Sequence, residues 1–199
     1  MDTTYFIPIK TVVIGDIDAG KSSLILRYTE DKFIDTSPNF YRLDFRNKLV
    51  ETKFDSYGLQ IWNTQGPEYF KHSAKLYFKD ASFVILWYDI CSRASFEYLE
   101  IWINLMEKYS DDPIVALSGN KLYLEENRQV SYEEGAKLAQ KYGFLFYETS
   151  AKQDTYVSDI FENEMKKYTQ IHYQDEKQQK VIDSEDKQST KYRECCFIF

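Results

Sequence analysis

Residues 11–23 read TVVIGDIDAGKSS, and the reading of this stretch decides the fold. A β-branched apolar run ends at Gly15, four residues intervene, and Gly20, Lys21 and Ser22 complete the pattern G-x-x-x-x-G-K-[ST]. The pattern has physical content where it joins a strand to a helix. Backbone N–H groups then converge on phosphate oxygens, the helix N-terminus adds its positive end, Lys21 reaches the outer phosphates, and Ser22 offers an oxygen to Mg²⁺. TVVIG supplies the strand and the amphipathic segment from Lys21 supplies the helix, so Gly15, Asp18, Ala19, Gly20, Lys21, Ser22 and Ser23 are the candidate cradle. A glycine-bearing turn without a ligand is the alternative. Ile17 is bulky and Asp18 is an anion, both where a phosphate would come close. Asp18 suits left-handed backbone better than most residues.

Outward from this loop, apolar runs at Ile9–Ile14, Phe40–Val50, Thr52–Trp62, Phe83–Tyr88, Ile114–Ser118 and Phe144–Tyr147 read as strands. Helical patterns cover Lys21–Thr29, Glu68–Phe78, Ser92–Tyr109, Ser131–Tyr142 and Asp154–Tyr168. Ser131 with Glu134 forms a capping box, and Gly143 closes that helix. The alternation predicts an α/β fold with a six-stranded, mainly parallel sheet and about five helices. The second and third strands are nearly adjacent and read as one antiparallel hairpin.

From Gln170 the chain turns polar and loses apolar periodicity, which predicts a globular domain over 5–169 and a flexible tail over 170–199. Between Gln170 and Glu194 the tail is not polybasic: Asp175, Glu176, Asp183, Glu185, Asp186 and Glu194 stand against Lys177, Lys180, Lys187, Lys191 and Arg193. The 199 residues carry a net charge of -7, which argues against nucleic acid as a partner. No apolar run reaches a membrane span's length and MDTTYFIPIK lacks the marks of a secretory leader, so a cytosolic chain is expected. His72 and His172 lie far apart, and Cys91, Cys195 and Cys196 have neither disulfide-framework nor zinc spacing.

Four further blocks follow in order: WNTQGPEYF at 62–70, LWYDI at 86–90, GNKLYL at 119–124 and ETSAK at 148–152. With the phosphate loop and the terminal cysteine pair, the chain resembles a Rab-type small GTPase of the Ras superfamily over nearly its whole length. LDF at 43–45, LQIW at 59–62, YFKDA at 77–81 and Ser95-Phe96 add to the likeness. The resemblance implies a Ras-like fold, GTP/GDP and Mg²⁺ as ligands, and effector and escort proteins as partners. It implies a switch in intracellular vesicle trafficking that resets by hydrolysis.

It also implies roles residue by residue. Gly66 keeps the glycine of D-x-x-G, Asn120 and Lys121 frame the base, and Ser150, Ala151 and Lys152 form the loop whose backbone approaches the base oxygen. Phe45, Trp62 and Tyr77 match the aromatic effector triad, with ordinary packing as the alternative. Four positions depart from the family pattern. The Mg²⁺-binding threonine is Phe40, which has no oxygen for a hard cation, and Asn39, Ser37 or Thr36 replaces it only if the loop shifts. The D-x-x-G aspartate is Asn63, with one negative charge fewer beside a dication. The water-positioning glutamine is Pro67, without side-chain donor or acceptor.

The base-reading aspartate is Tyr123, whose hydroxyl cannot accept two guanine donors as a carboxylate does. Charge-assisted hydrogen bonds of that kind contribute about 1.5–3 kcal/mol each. Glu125 is the candidate to supply the missing carboxylate.

The chain ends CCFIF. Cys196 lies four from the end in a C-a-a-X arrangement whose terminal Phe favours geranylgeranyl, and Cys195 makes the pair Rab-like. One lipid chain anchors weakly, so lasting attachment requires both cysteines modified or a protein partner. The expectation is a Rab-like GTP-binding protein with strongly impaired hydrolysis, on the cytoplasmic face of an intracellular membrane with a cytosolic pool. The rival is a non-catalytic, lipid-anchored interaction scaffold with weak or no nucleotide binding.

Overall fold

A computed structural model of the protein describes residues 6–34, 45–53, 55–64 and 67–173. Thr36, Ser37, Asn39, Phe40, Gly66, Cys195 and Cys196 lie outside the described residues. The chain divides into two compact units, Met1–Glu164 and Met165–Phe199. The first holds the whole sheet; in the second, residues 165–173 are helical.

The strands are β1 (Ile7–Gly15), β2 (Phe45–Glu51), β3 (Ser56–Asn63), β4 (Phe83–Asp89), β5 (Ile114–Asn120) and β6 (Leu145–Glu148). Their order in the sheet is β2-β3-β1-β4-β5-β6. Only β2 with β3 is antiparallel, Phe45 lying opposite Trp62, and the other neighbours run parallel. The hairpin and the six strands are as expected. β4 and β5 are buried along their full length, as strands covered on both faces must be, while β2 alternates at the sheet edge.

The helices are α1 (Lys21–Glu30), α2 (Pro67–Phe78), α3 (Arg93–Glu97), α4 (Leu99–Tyr109), α5 (Tyr132–Tyr142) and α6 over residues 157–173. The single helix expected over Ser92–Tyr109 breaks at Tyr98. There the backbone tightens, Ile101 N–H donating to the Tyr98 carbonyl at 3.1 Å. The helix expected from Asp154 starts later. Asp154 and Tyr156 adopt left-handed backbone, and paired hydrogen bonds between Ser150 and Thr155 hold that stretch as a turn. A 3₁₀ segment at Leu122–Asn127 had no sequence signal of its own.

Aliphatic and aromatic side chains of the sheet and helices make one core, with Trp87, Trp102, Tyr88, Phe78, Phe83 and Phe161 fully enclosed. Tyr28 of α1 stacks on Phe161 of α6, ring centroids 3.7 Å apart. β1 sits mid-sheet, its successors going first to one side and then to the other. Such a reversal opens a crevice at the carboxyl ends of the strands. The loops after β1, β4, β5 and β6 all meet there.

Candidate functional site

The crevice is built from the loop at Gly15–Gly20 upward. Gly15 lies against the β4 backbone so closely that a Cβ on it would be 2.0 Å from the Trp87 carbonyl oxygen. Gly20 has φ 92°, and a Cβ there would meet Asn120 Nδ2 at 2.5 Å. Both positions exclude any side chain. Asp18 takes left-handed backbone at φ 62°, as its residue type allows, and both its side chain and that of Ile17 are exposed. The loop therefore holds its curve without burying either residue.

Lys21 opens α1 and is 7% exposed. Its ammonium donates to the carbonyls of Gly15 at 2.9 Å and Asp16 at 2.7 Å. Burial lowers its pKa to about 8, against the opposing pull of Asp16 and Asp18. An ammonium that gives up water while held by neutral carbonyls fits an incoming phosphate, which would restore charge balance.

Ser22 follows, and its hydroxyl oxygen accepts a hydrogen bond from Asn63 Nδ2 at 3.0 Å. Asn63 is buried, and its Oδ1 has no hydrogen-bond partner among the described residues. Ser22 is the described residue whose oxygen would hold Mg²⁺. One lone pair of the hydroxyl oxygen receives an N–H, the second stays open to a cation, and the neighbouring side chain is a neutral amide. Among the described residues no group of three His, Cys, Asp or Glu side chains is placed to hold a metal.

On the base side, Asn120 ends β5 and links two loops. Its Nδ2 donates to the Ala19 carbonyl at 2.8 Å, and its Oδ1 accepts from Ala151 N–H at 3.4 Å. Lys121 has left-handed backbone and pairs with Asp89 at 2.7 Å. Ser150 is fully buried, its Oγ accepting from Gln153 N–H. Lys152 places its ammonium 5.1 Å from the centroid of the Tyr123 ring and 5.9 Å from that of Phe33. Ser23 lies partly buried on α1.

Glu125 does not stand in for the absent base-reading carboxylate. Arg128 holds it in a fork, Nε to Oε1 at 2.9 Å and Nη2 to Oε2 at 2.6 Å, and that hydrogen bonding keeps its carboxyl below the usual range. The same guanidinium reaches Glu148 at 2.6 and 2.7 Å. This cluster braces the 3₁₀ segment against β6. It is structural.

Phe45, Trp62 and Tyr77 do come together. The Phe45 and Trp62 rings meet edge to face at 4.9 Å, and Trp62 and Tyr77 at 6.2 Å, with Lys10 Nζ 5.6 Å from the Trp62 ring. Pro67 begins α2, a position that suits its fixed φ.

Four residues of the site carry no role in the sequence reading: Arg27, Phe33, and Trp87 and Asp89 of the LWYDI block. Arg27 Nε donates to the Ala151 carbonyl at 3.0 Å, tying α1 to the base loop. Trp87 lies inside an apolar run and reads simply as core. Its indole N–H, which a buried tryptophan must satisfy, was the one available signal.

A model of the Ras family matches residues 10–170. GTP-binding protein yptV2 of Volvox carteri is 40% identical over 155 residues, spanning 77% of this chain and 71% of its own. Ras-related protein Rab-8B of Homo sapiens is 38% identical over 162 residues, 81% of this chain and 78% of its own. Ras-related protein SEC4 of Candida albicans (strain WO-1) is 37% identical over 158 residues, 79% and 75% of the two chains.

Proposed function

We propose a function from one premise: the chain belongs to the Ras family, as a Rab-type small GTPase. The proposal is a guanine-nucleotide-binding protein of intracellular vesicle traffic that engages Mg²⁺ weakly, hydrolyses GTP very poorly, and acts by recruiting partners. One observation carries it: Asn63 donates to Ser22 at the point where a metal-organising carboxylate is required.

Bound Mg²⁺ would neutralise phosphate charge and help organise the transferring phosphoryl group. What this chain's own residues do is bind and orient. Lys21 and the loop amides take the phosphates, Asn120 and Ala151 frame the base, and Phe33 and Lys152 flank it. Tyr123 cannot match a carboxylate's two acceptors, so guanine is held less selectively. Pro67 leaves the attacking water without a side-chain partner, and Ile17 stands where an approaching arginine would have to pass.

The triad of Phe45, Trp62 and Tyr77 supplies the aromatic surface for an effector. Cys195 and Cys196 carry prenyl groups, and an escort protein shields them in the cytosolic pool. The protein then works on the cytoplasmic face of an intracellular membrane. Among the described residues no helix is long and apolar enough to cross one.

The test is to denature the purified protein, identify co-purified nucleotide, and then measure Mg²⁺ dependence of GDP release and single-turnover phosphate release. Asn63→Asp should raise the Mg²⁺ dependence of GDP release and leave phosphate release low. Brisk phosphate release by the unaltered chain would overturn impaired hydrolysis. A chain that neither carries nor binds nucleotide would be the lipid-anchored scaffold instead.

A further inference from the structure

The Ala19 carbonyl, inside the phosphate loop, accepts two buried donors. Asn120 Nδ2 reaches it at 2.8 Å, and Trp87 Nε1 reaches it from below at 2.8 Å. Trp87 is fully buried and Ala19 is 1% exposed, so neither bond competes with water. Low dielectric strengthens both bonds, and either donor left alone would be costly.

The consequence lies on the other side of the peptide. A trans peptide is planar, so a carbonyl drawn down toward the sheet turns the N–H of the next residue up, away from it. Here that N–H belongs to Gly20, the N-cap residue of α1, at the floor of the phosphate cradle. Gly20 has φ 92° and no Cβ, and so has little intrinsic preference to keep that orientation. Asp18, two residues earlier, adopts the left-handed backbone its residue type allows and adds no side-chain hold on that peptide. Lys21 holds only the start of the loop, through the carbonyls of Gly15 and Asp16. At the far end Ala19 N–H reaches the Asp16 carbonyl at a long 3.4 Å and Leu24 N–H holds the Gly20 carbonyl at 3.0 Å, while the Ala19–Gly20 peptide between them is held through the two donors on its carbonyl.

We propose that Trp87 is a positioning residue of the phosphate site, whose indole N–H fixes the Ala19–Gly20 peptide so that the Gly20 amide faces a phosphate. The role concerns this chain's own indole and goes beyond the packing of β4. It rests on the nucleotide-binding reading for its ligand but not for its geometry.

Two variants separate shape from hydrogen bonding: Trp87→Phe, and replacement of Trp87 by β-(benzothiophen-3-yl)alanine, which keeps the fused-ring shape and lacks the N–H. The first readout is the amide signal of Gly20, by nitrogen-proton correlation and hydrogen exchange in protein stripped of nucleotide. The second is the ratio of GDP to GMP affinity, which isolates the phosphate end of the site from the base.

Both variants should shift the Gly20 signal and speed its exchange. The GDP:GMP ratio should fall about fivefold, the equivalent of one net hydrogen bond, with the benzothienyl variant as thermostable as the parent. A Gly20 signal in place in the benzothienyl variant would overturn the proposal and leave Trp87 as core packing. A shifted signal with an unchanged ratio would overturn its phosphate role. If the parent binds neither nucleotide, the functional reading fails on its own, and the Gly20 signal still decides whether the indole sets the loop.

Discussion

Lys21 shows how one side chain links stability and binding in opposite directions. Burial lowers its pKa to about 8 in the folded chain, below its ordinary value of 10.5. Between these two values the unfolded chain holds a proton that the folded chain has released, so stability rises with pH over that window. Below about pH 8 both states are protonated and the cost of the buried charge is fully present. Denaturant titrations of stripped protein should therefore show a rise from pH 8 to 10 that Lys21→Met lacks. Nucleotide affinity should move the other way, falling as the ammonium is lost. Pro67 makes a second prediction at this scale. With Ile17 and Phe40 unchanged, Pro67→Gln should leave single-turnover phosphate release within a few-fold of the parent, since several lesions act in series. A large recovery would place the whole defect at that residue.

Among the elements, α5 is the one whose ends are written most fully in the sequence. Ser131 Oγ accepts from Glu134 N–H at 3.2 Å, Glu134 Oε2 accepts from Ser131 N–H at 2.9 Å, and Gly143 at φ 71° closes the helix. Ser131→Ala should cost about 1 kcal/mol in urea unfolding, with m unchanged. Glu134 is also forked to Arg93 at 2.7 and 3.0 Å. Arg93, then the Ser131 backbone, hold its carboxyl down to about 2. Its contribution is present above its ordinary range near 4.5 and is lost as pH falls toward 2, and Arg93→Ala should blunt that acid sensitivity.

The same contrast explains what could be read ahead of the structure. Caps, apolar runs and the phosphate pattern are local, so α5, the buried strands and the Gly15–Ser22 loop were legible. Their edges were less so. Tyr98 breaks a continuous helical pattern through hydrogen-bond geometry that its residue type does not announce. At the site, Asn120 and Lys121 could be named from their block, but the partners that occupy them could not. Trp87 and Asp89 come from β4 and Arg27 from α1, and Glu125 is captured by an arginine whose second carboxylate lies on β6. Pairings across such sequence distances are set by the topology of the sheet.

For the whole molecule, the acidic balance and the terminal cysteines act together. A tail without a polybasic stretch gains little from anionic lipid, so under the proposed function membrane residence would depend on prenyl groups or partners. Cys195→Ser with Cys196→Ser should move the protein from the membrane to the soluble fraction of cells. Unchanged fractionation would assign the attachment to a bound protein.

Asn120 carries a last consequence. Its two ends fasten the phosphate loop, through Ala19, to the base loop, through Ala151. Arg27 adds a second tie, from Ala151 to the end of α1. The walls on either side of the crevice cannot swing apart singly, because each is pinned to the other. On the nucleotide-binding reading, release of bound GDP should then follow a single exponential in fluorescent-nucleotide displacement. Asn120→Ala, which removes the shared pin, should turn that single phase into two.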